Sequence, residues 1–236
     1  MENKINNKIP IYWINLERSI DRKNNFENQL EKYNIANHRR INGIDGKNID
    51  LRNYNIIDNL TKYELGCTLS HLKAIKEAYD NNEKYVLVME DDCNFEYIEH
   101  QKYSIDELIQ MMNKDYPDWD ILQLATIDFP DKNIELSKEN NYISKGFRYS
   151  TACYLINTDG INKLVNLNGI YREADYYLYN NVNTYHLTKP YFIYNYSKTF
   201  PSFIRNVGKG SKKSTYELED ENKKFWDDYY LQNFLK

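Results

Sequence analysis

The stretch YVLVMEDDCNF, residues 85–95, runs a buried-looking apolar segment straight into three consecutive carboxylates. An apolar run without polar alternation fits a strand covered on both faces, as in a sheet sandwiched between helices. Glu90, Asp91 and Asp92 then fall where that strand should emerge at its carboxyl end, the edge at which open α/β folds bind ligands. Two carboxylates about 4 Å apart repel by roughly 4 kcal/mol at an effective dielectric near 20, so three together call for a cation or a raised pKa. Oxygen-only donors suit magnesium or manganese better than zinc. The competing reading is a solvated loop or a helix N-terminus, where acidic residues are favoured by the dipole. The triplet alone does not separate the two.

The flanking segments repeat an α/β rhythm. IPIYWINL (9–16) reads as a buried first strand, and ERSIDRKNNFENQLEKYNI places Ile20, Phe26, Leu30 and Tyr33 at helical spacing. HRRINGIDGKNID is a short strand entering a loop punctuated by Gly43 and Gly46. Leu69, Leu72, Ile75 and Ala78 mark one face of a helix that ends at Asn81 and Asn82. Beyond the carboxylates come a helix around IDELIQMM, a strand in DWDILQLA (118–125), and a strand, a turn at Asp159-Gly160 and a short helix within 146–167. EADYYLYNNVNTYHLTKPYFIYNYS is expected to hold a final helix and strand, and 206–217 a polar glycine-containing loop.

At 236 residues the chain suits one domain with a single sizeable core. Its net charge of −4 argues against a polyanionic partner, so nucleic acid is not expected. Cys67, Cys93 and Cys153 are odd in number and form no CxxC pair, which gives neither a zinc knuckle nor a disulfide framework. The opening MENKINNKIP carries no apolar stretch, and no run approaches a membrane span. A cytoplasmic protein with reduced thiols is the expectation.

Five blocks in order carry a resemblance: INLERSIDR (14–22), RRINGIDG (39–46), YELGCTLSHLKAIKEA (63–78), VMEDDCNF (88–95) and YSTACYLINTDGINKLV (149–165). Together they resemble glycosyltransferase family 25, which includes bacterial lipooligosaccharide galactosyltransferases and procollagen galactosyltransferases, over about residues 10–205. The resemblance implies a GT-A type, Rossmann-like α/β domain with a mixed central sheet flanked by helices. It also implies a UDP-sugar donor, Mn2+ or Mg2+, and transfer to a hydroxyl of a glycan or glycoprotein acceptor with inversion. Galactose is the family's usual sugar, with glucose and N-acetylglucosamine open.

Within that pattern Asp92 is the first candidate metal ligand, and Glu90 and Asp91 contact the metal, its water or the ribose. Asn15 and Leu16 end the first strand. With Arg18 and Arg22, one helical turn apart, they are candidates for the base, ribose or a phosphate, since an Arg fork matches phosphate oxygens. Asp45 in the GIDG loop is a candidate acceptor for uracil or ribose, against an ordinary turn aspartate. Ser70 and His71 are candidate donor contacts, with a buried structural histidine as the alternative. Tyr149, Ser150 and Thr151 are candidates to line the sugar or acceptor pocket, where Phe147 and Tyr149 present flat faces to a pyranose.

Inverting transfer needs a base at the acceptor hydroxyl. Asp175 matches the family's acidic position and Glu173 neighbours it, while Asp128 is a weaker rival. His186 is a possible late metal ligand or, as a lone strand histidine, a structural residue. Gly208, Lys209, Gly210, Lys212 and Lys213 have the composition of a lid over a diphosphate or of a solvated loop. Asn195 and Phe203 depart from the family near the expected acceptor side. Two further readings stay open: a metal-dependent phosphoesterase, and a non-catalytic glycan-binding or assembly protein that keeps the fold.

Overall fold

The computed structural model describes residues 4–5, 7–125, 142–194 and 224–230. Its elements are β1 (Ile11–Asn15), α1 (Ile20–Lys32), β2 (His38–Asn42), α2 (Lys62–Asp80), β3 (Tyr85–Glu90), β4 (Cys93–Asn94) and α3 (Ile105–Asp115). They continue with β5 (Ile121–Gln123), β6 (Ile143–Lys145), β7 (Cys153–Asn157), α4 (Thr158–Val165), α5 (Ala174–Tyr179), β8 (Thr184–Leu187) and β9 (Ile193–Tyr194). The large sheet has the order β2-β1-β3-β7-β5-β8-β6, and β4 pairs with β9 apart from it. β1 runs parallel to β2 and β3, β7 is antiparallel to β3 and β5, and β8 is parallel to β5. This is the mixed sheet flanked by helices that the family resemblance implies.

Alternation along the central strands divides the core into two layers. Ile11 and Trp13 of β1 and Leu87 and Met89 of β3 join Phe26 and Leu30 of α1 and Leu108 and Met112 of α3. The intervening Tyr12, Ile14, Val86 and Val88 face Ala74, Ile75 and Ala78 of α2 and Ile161 and Leu164 of α4. Both faces of β3 are therefore covered, which is why its sequence carries no polar alternation. Each such aliphatic side chain contributes roughly 1.5–3 kcal/mol by leaving water.

α2 and α3 begin at capping boxes, Thr61 with Glu64 and Ser104 with Glu107, in which side chain and backbone satisfy each other's orphan groups. The N-terminal part of α2 then presses on the loop after β2. A methyl group on Gly66 would lie 2.8 Å from the Ile44 carbonyl oxygen, and one on Gly46 would lie 2.5 Å from that of Lys62. Only glycine at both positions permits this approach, and it brings the 67–71 turn of α2 to the sheet edge.

Several expectations are corrected. Asp159-Gly160 is not a turn: β7 enters α4 directly, with the Asn157 side chain capping the Gly160 N–H at 2.9 Å. The glycine there answers close packing, since a Cβ would meet the Asp120 carbonyl oxygen at 2.9 Å. The expected single late strand is two, β8 and β9, separated by Pro190, and β6 is a further short strand. Ile20 is 62% exposed, so α1 is anchored by Phe26 and Leu30. In α2 the buried stripe runs through Leu65, Thr68, His71, Ala74, Ile75 and Ala78, leaving Leu69 and Leu72 half-buried.

Residues 224–230 are helical and close over β9, where Trp226 and Tyr230 pack with Tyr97 and Ile193. The Tyr230 hydroxyl donates to the Pro190 carbonyl at 2.7 Å, and the Tyr97 hydroxyl donates to Asp227. Among the described residues no helix is long and apolar enough to cross a membrane.

Candidate active site

β1 and β3 are parallel neighbours, so their carboxyl ends open on the same side, with Ile14 beside Glu90 and the Asp91 N–H donating to the Ile14 carbonyl. At that edge lies a cleft of about 670 Å3, including its part open to solvent. Leu16, Arg18, Arg22, Asp45, Ser70, His71, Glu90, Asp91 and Asp92 all line it, so one wall holds most of the candidate residues. Asn15 lies immediately behind, 1% exposed.

α1 leaves β1 at an angle that carries Arg22 back over the carboxylates. Its Nη2 is 2.7 Å from Asp91 Oδ1 and is also bonded to Asp92 Oδ2. Asn15 Nδ2 donates to Asp91 Oδ2 at 2.6 Å, while Asn15 Oδ1 accepts from Arg40 Nε at 2.9 Å. Both oxygens of Asp91 are thus held by protein donors. Arg18 Nε donates to Asp45 Oδ2 at 2.6 Å. The two arginines expected to face phosphate are engaged by carboxylates, and Asn15 braces Asp91 from behind.

Glu90 turns the other way. Its Oε1 accepts from the Thr151 hydroxyl at 2.9 Å and lies 3.4 Å from His71 Nε2. His71 is fully buried, with Nδ1 3.2 Å from the Tyr154 hydroxyl. Ser70 ties α2 to the neighbouring loop: its hydroxyl donates to the Gly66 carbonyl at 2.6 Å and accepts from the Ile44 N–H at 2.8 Å.

The charges respond to this packing. Burial pushes the Asp91 carboxyl up to about 7 against the pull of Arg22, with Asp92 and Glu90 adding to the rise. Burial alone would also raise Glu90, but its contacts with His71 and Thr151 and the Arg22 charge hold it below the usual range. Asp45 is lowered by its bond to Arg18.

On the far side of Thr151 the backbone is strained. Ser150 has φ +127°, a region that L-residues avoid and that costs of order 1–3 kcal/mol. Its N–H donates to Asp175 Oδ2 at 3.0 Å, and its carbonyl accepts from Gln123 Nε2 at 2.7 Å and the Tyr179 hydroxyl at 2.9 Å. The strained turn sends Thr151 inward to Glu90 and leaves Tyr149 51% exposed, its hydroxyl 2.9 Å from that of Tyr176. Burial raises the Asp175 carboxyl, and the Glu90 charge adds to the rise.

Other candidates stand apart from the cleft wall. Glu173 caps α5 without a side-chain bond, and its Oε2 lies 3.8 Å from Arg172 Nε. His186 sits in β8, with Nδ1 3.1 Å from the Gly146 carbonyl, which matches a structural strand histidine. Asp128, Asn195, Phe203 and the 206–217 loop lie outside the described residues.

Two contributors were not singled out for the site by sequence reasoning. Cys67 lines the cleft one turn before His71, and the i, i+4 Cys–His spacing on a helix is the signal that would have found it. Gln123 fastens the 148–150 turn through the Arg148 N–H and the Arg148 and Ser150 carbonyls. An amide inside the apolar run DILQLA was its signal.

Hard oxygen donors therefore stand along the cleft, Asp91 and Asp92 on the Arg22 guanidinium and Glu90 turned to Thr151 and His71. The oxygens of Asp92 and Glu90 are the donor type that a magnesium- or manganese-class ion takes, but Asp91 and Asp92 would both have to give up Arg22, and Glu90 is turned to Thr151.

The family model described as "Glycosyltransferase family 25 (LPS biosynthesis protein)" matches residues 8–178, a span that contains the cleft wall and Asp175. "Procollagen galactosyltransferase 2" of Mus musculus is 30% identical over 172 residues, covering 66% of this chain and 27% of that protein. Its Homo sapiens counterpart is 28% identical over 175 residues, covering 67% and 27%. "Inactive glycosyltransferase 25 family member 3" of Homo sapiens is 29% identical over 107 residues, covering 45% and 18%. The chain thus spans about a quarter of the length of the galactosyltransferases it matches. With the matched span enclosing the strand ends, the carboxylates and the helix that faces them, the chain belongs to glycosyltransferase family 25.

Proposed function

We propose that the chain is a glycosyltransferase that moves a sugar, galactose in the first instance, from a UDP-sugar to a hydroxyl of a glycan or glycoprotein. The observation that carries this reading is the excess of carboxylates in the cleft: Asp91 and Asp92 on the Arg22 guanidinium with Glu90 beside them, at the edge where β1 and β3 end. Such a wall repels a diphosphate unless a divalent cation lies between them. Asp92, on exchanging its Arg22 contact for the ion, and Glu90 would hold that Mn2+ or Mg2+, while Asp91, braced by Asn15 and Arg22, keeps the wall in place. When bound, the ion supplies Lewis-acid stabilisation of the departing nucleotide's charge.

Arg18 and Asp45, tied together, border the nucleotide beside Leu16. Thr151 orients Glu90. Asp175 takes the proton from the acceptor hydroxyl as the new glycosidic bond forms and the bond to the nucleotide breaks on the opposite face of the sugar. Its burial and the nearby Glu90 charge raise its proton affinity, which suits a base. The Ser150 N–H fixes its orientation, and Tyr149 presents a ring face to the acceptor sugar.

Incubation with a panel of nucleotide sugars and Mn2+, following nucleotide release with and without simple glycoside acceptors, tests this. Metal-dependent release of UDP is expected. Release of GDP instead, or of no nucleotide from any donor, contradicts it. The inactive relative favours a second reading, a non-catalytic sugar-binding protein that keeps the fold. In that case no donor turns over, while glycan affinity survives replacement of Asp92 by Ala.

A further inference from the structure

Cys67, His71 and Glu90 form a cluster that sugar transfer does not use as a unit. Cys67 and His71 are one turn apart on α2, and both line the cleft with Glu90. One ligating atom from each lies within 4.8 Å of the others. His71 Nε2 is buried without a hydrogen-bond partner although Glu90 Oε1 is 3.4 Å away. Leaving a buried polar atom in that state is costly, and a cation accepting its lone pair removes the cost.

The donor set decides which cation. Sulfur, imidazole and carboxylate together match zinc, whereas magnesium and manganese prefer oxygen throughout. The Tyr154 hydroxyl beside Nδ1 is the outer-shell partner that a metal-bound histidine normally has, and it fixes the ring so that Nε2 points inward. A thiolate and a carboxylate neutralise a doubly charged ion. Ligand distances of about 2.0–2.3 Å require the three atoms to draw together by up to roughly 1 Å, within reach of χ rotations at Cys67 and Glu90.

We propose that Cys67, His71 and Glu90 bind a zinc-class divalent cation, the fourth position being open to water or an anionic ligand in the cleft. The Cys67 thiol loses its proton to solvent as the ion binds. The site shares Glu90 with the carboxylate wall, so zinc bound here draws Glu90 away from the cation proposed for the donor. Nothing in the zinc proposal requires the chain to transfer sugar, so the two stand or fall separately.

The full chain, stripped with a chelator, is titrated with Zn2+ against a chromophoric competitor and, separately, loaded with Co2+ for absorption spectroscopy. One zinc per chain is expected, with affinity lowered by at least about 10-fold in both Cys67→Ser and His71→Gln. The cobalt form should show a thiolate-to-metal charge-transfer band that Cys67→Ser lacks. Alkylation of the wild-type thiol, read by mass spectrometry at Cys67, should slow when zinc is present, a readout independent of how any variant folds. Equal zinc affinity in wild type and Cys67→Ser, absence of the sulfur band, or no protection of Cys67 would each overturn the proposal.

Discussion

Replacing Arg22 by Met removes the guanidinium bonded to Asp91 and Asp92 while keeping most of its aliphatic volume. The side chains involved are 13% (Arg22), 7% (Asp91) and 19% (Asp92) exposed. Breaking a fully buried ion pair costs about 3–5 kcal/mol, and the partial exposure of this one reduces that to about 2–4 kcal/mol. For a chain of this length the loss corresponds to roughly 5–15 °C in Tm. The penalty must grow with pH. Asp91 has a folded pKa of about 7, above its unfolded value, so its stabilising proton is fully held below about pH 4 and lost as pH rises through 7. Wild-type stability should therefore fall between about pH 5 and 8, and Arg22→Met should fall further because Asp91 and Asp92 then ionise without the guanidinium. Urea unfolding followed by circular dichroism at pH 5 and pH 8 measures both. A variant within about 0.5 kcal/mol of wild type at pH 8, or one penalised more at pH 5 than at pH 8, would refute this view of the carboxylates.

Gly66→Ala should destabilise the chain by about 1–3 kcal/mol, because the added methyl meets the Ile44 carbonyl oxygen at 2.8 Å and pushes α2 off its loop. Chemical denaturation checks it, and an unchanged midpoint would contradict the close approach. Asp175→Asn should lower kcat by about 100-fold or more with little change in donor KM, read by nucleotide release at saturating acceptor. Tyr149→Ala should raise the acceptor KM by several-fold, about 1 kcal/mol of lost stacking, while Tyr149→Phe stays near wild type. Equal effects from Ala and Phe would show that the ring face is not what binds.

Much of the fold was legible because apolar period and burial coincide. YVLVM is apolar throughout because helices cover both its faces, and Phe26 and Leu30 anchor α1 as their spacing suggests. Legibility failed where a residue answers a distant partner. Gly160 resembles a turn residue, yet it is small because the Asp120 carbonyl sits against it. β6 and β8 are short strands within tyrosine- and asparagine-rich sequence, where alternation is too brief to stand out.

The candidate site divides in the same way. The carboxylates could be placed at the strand's end from position alone, and the cleft does open there. Their bonding to Arg22, some seventy residues away in sequence, depends on how α1 folds back over β3, which no local pattern encodes. Asn15 and Ser70 look like ligand contacts in sequence but spend their polar groups on Asp91 and on the Gly66 and Ile44 backbone.

Calorimetric titration of UDP into wild type and Asp92→Ala, each with Mn2+ and with chelator, most directly tests whether the carboxylate wall grips a nucleotide through a cation. Binding to wild type in the presence of Mn2+, with loss in chelator and in Asp92→Ala, is the expected result. UDP binding of equal strength in chelator, or undiminished in Asp92→Ala, would contradict it.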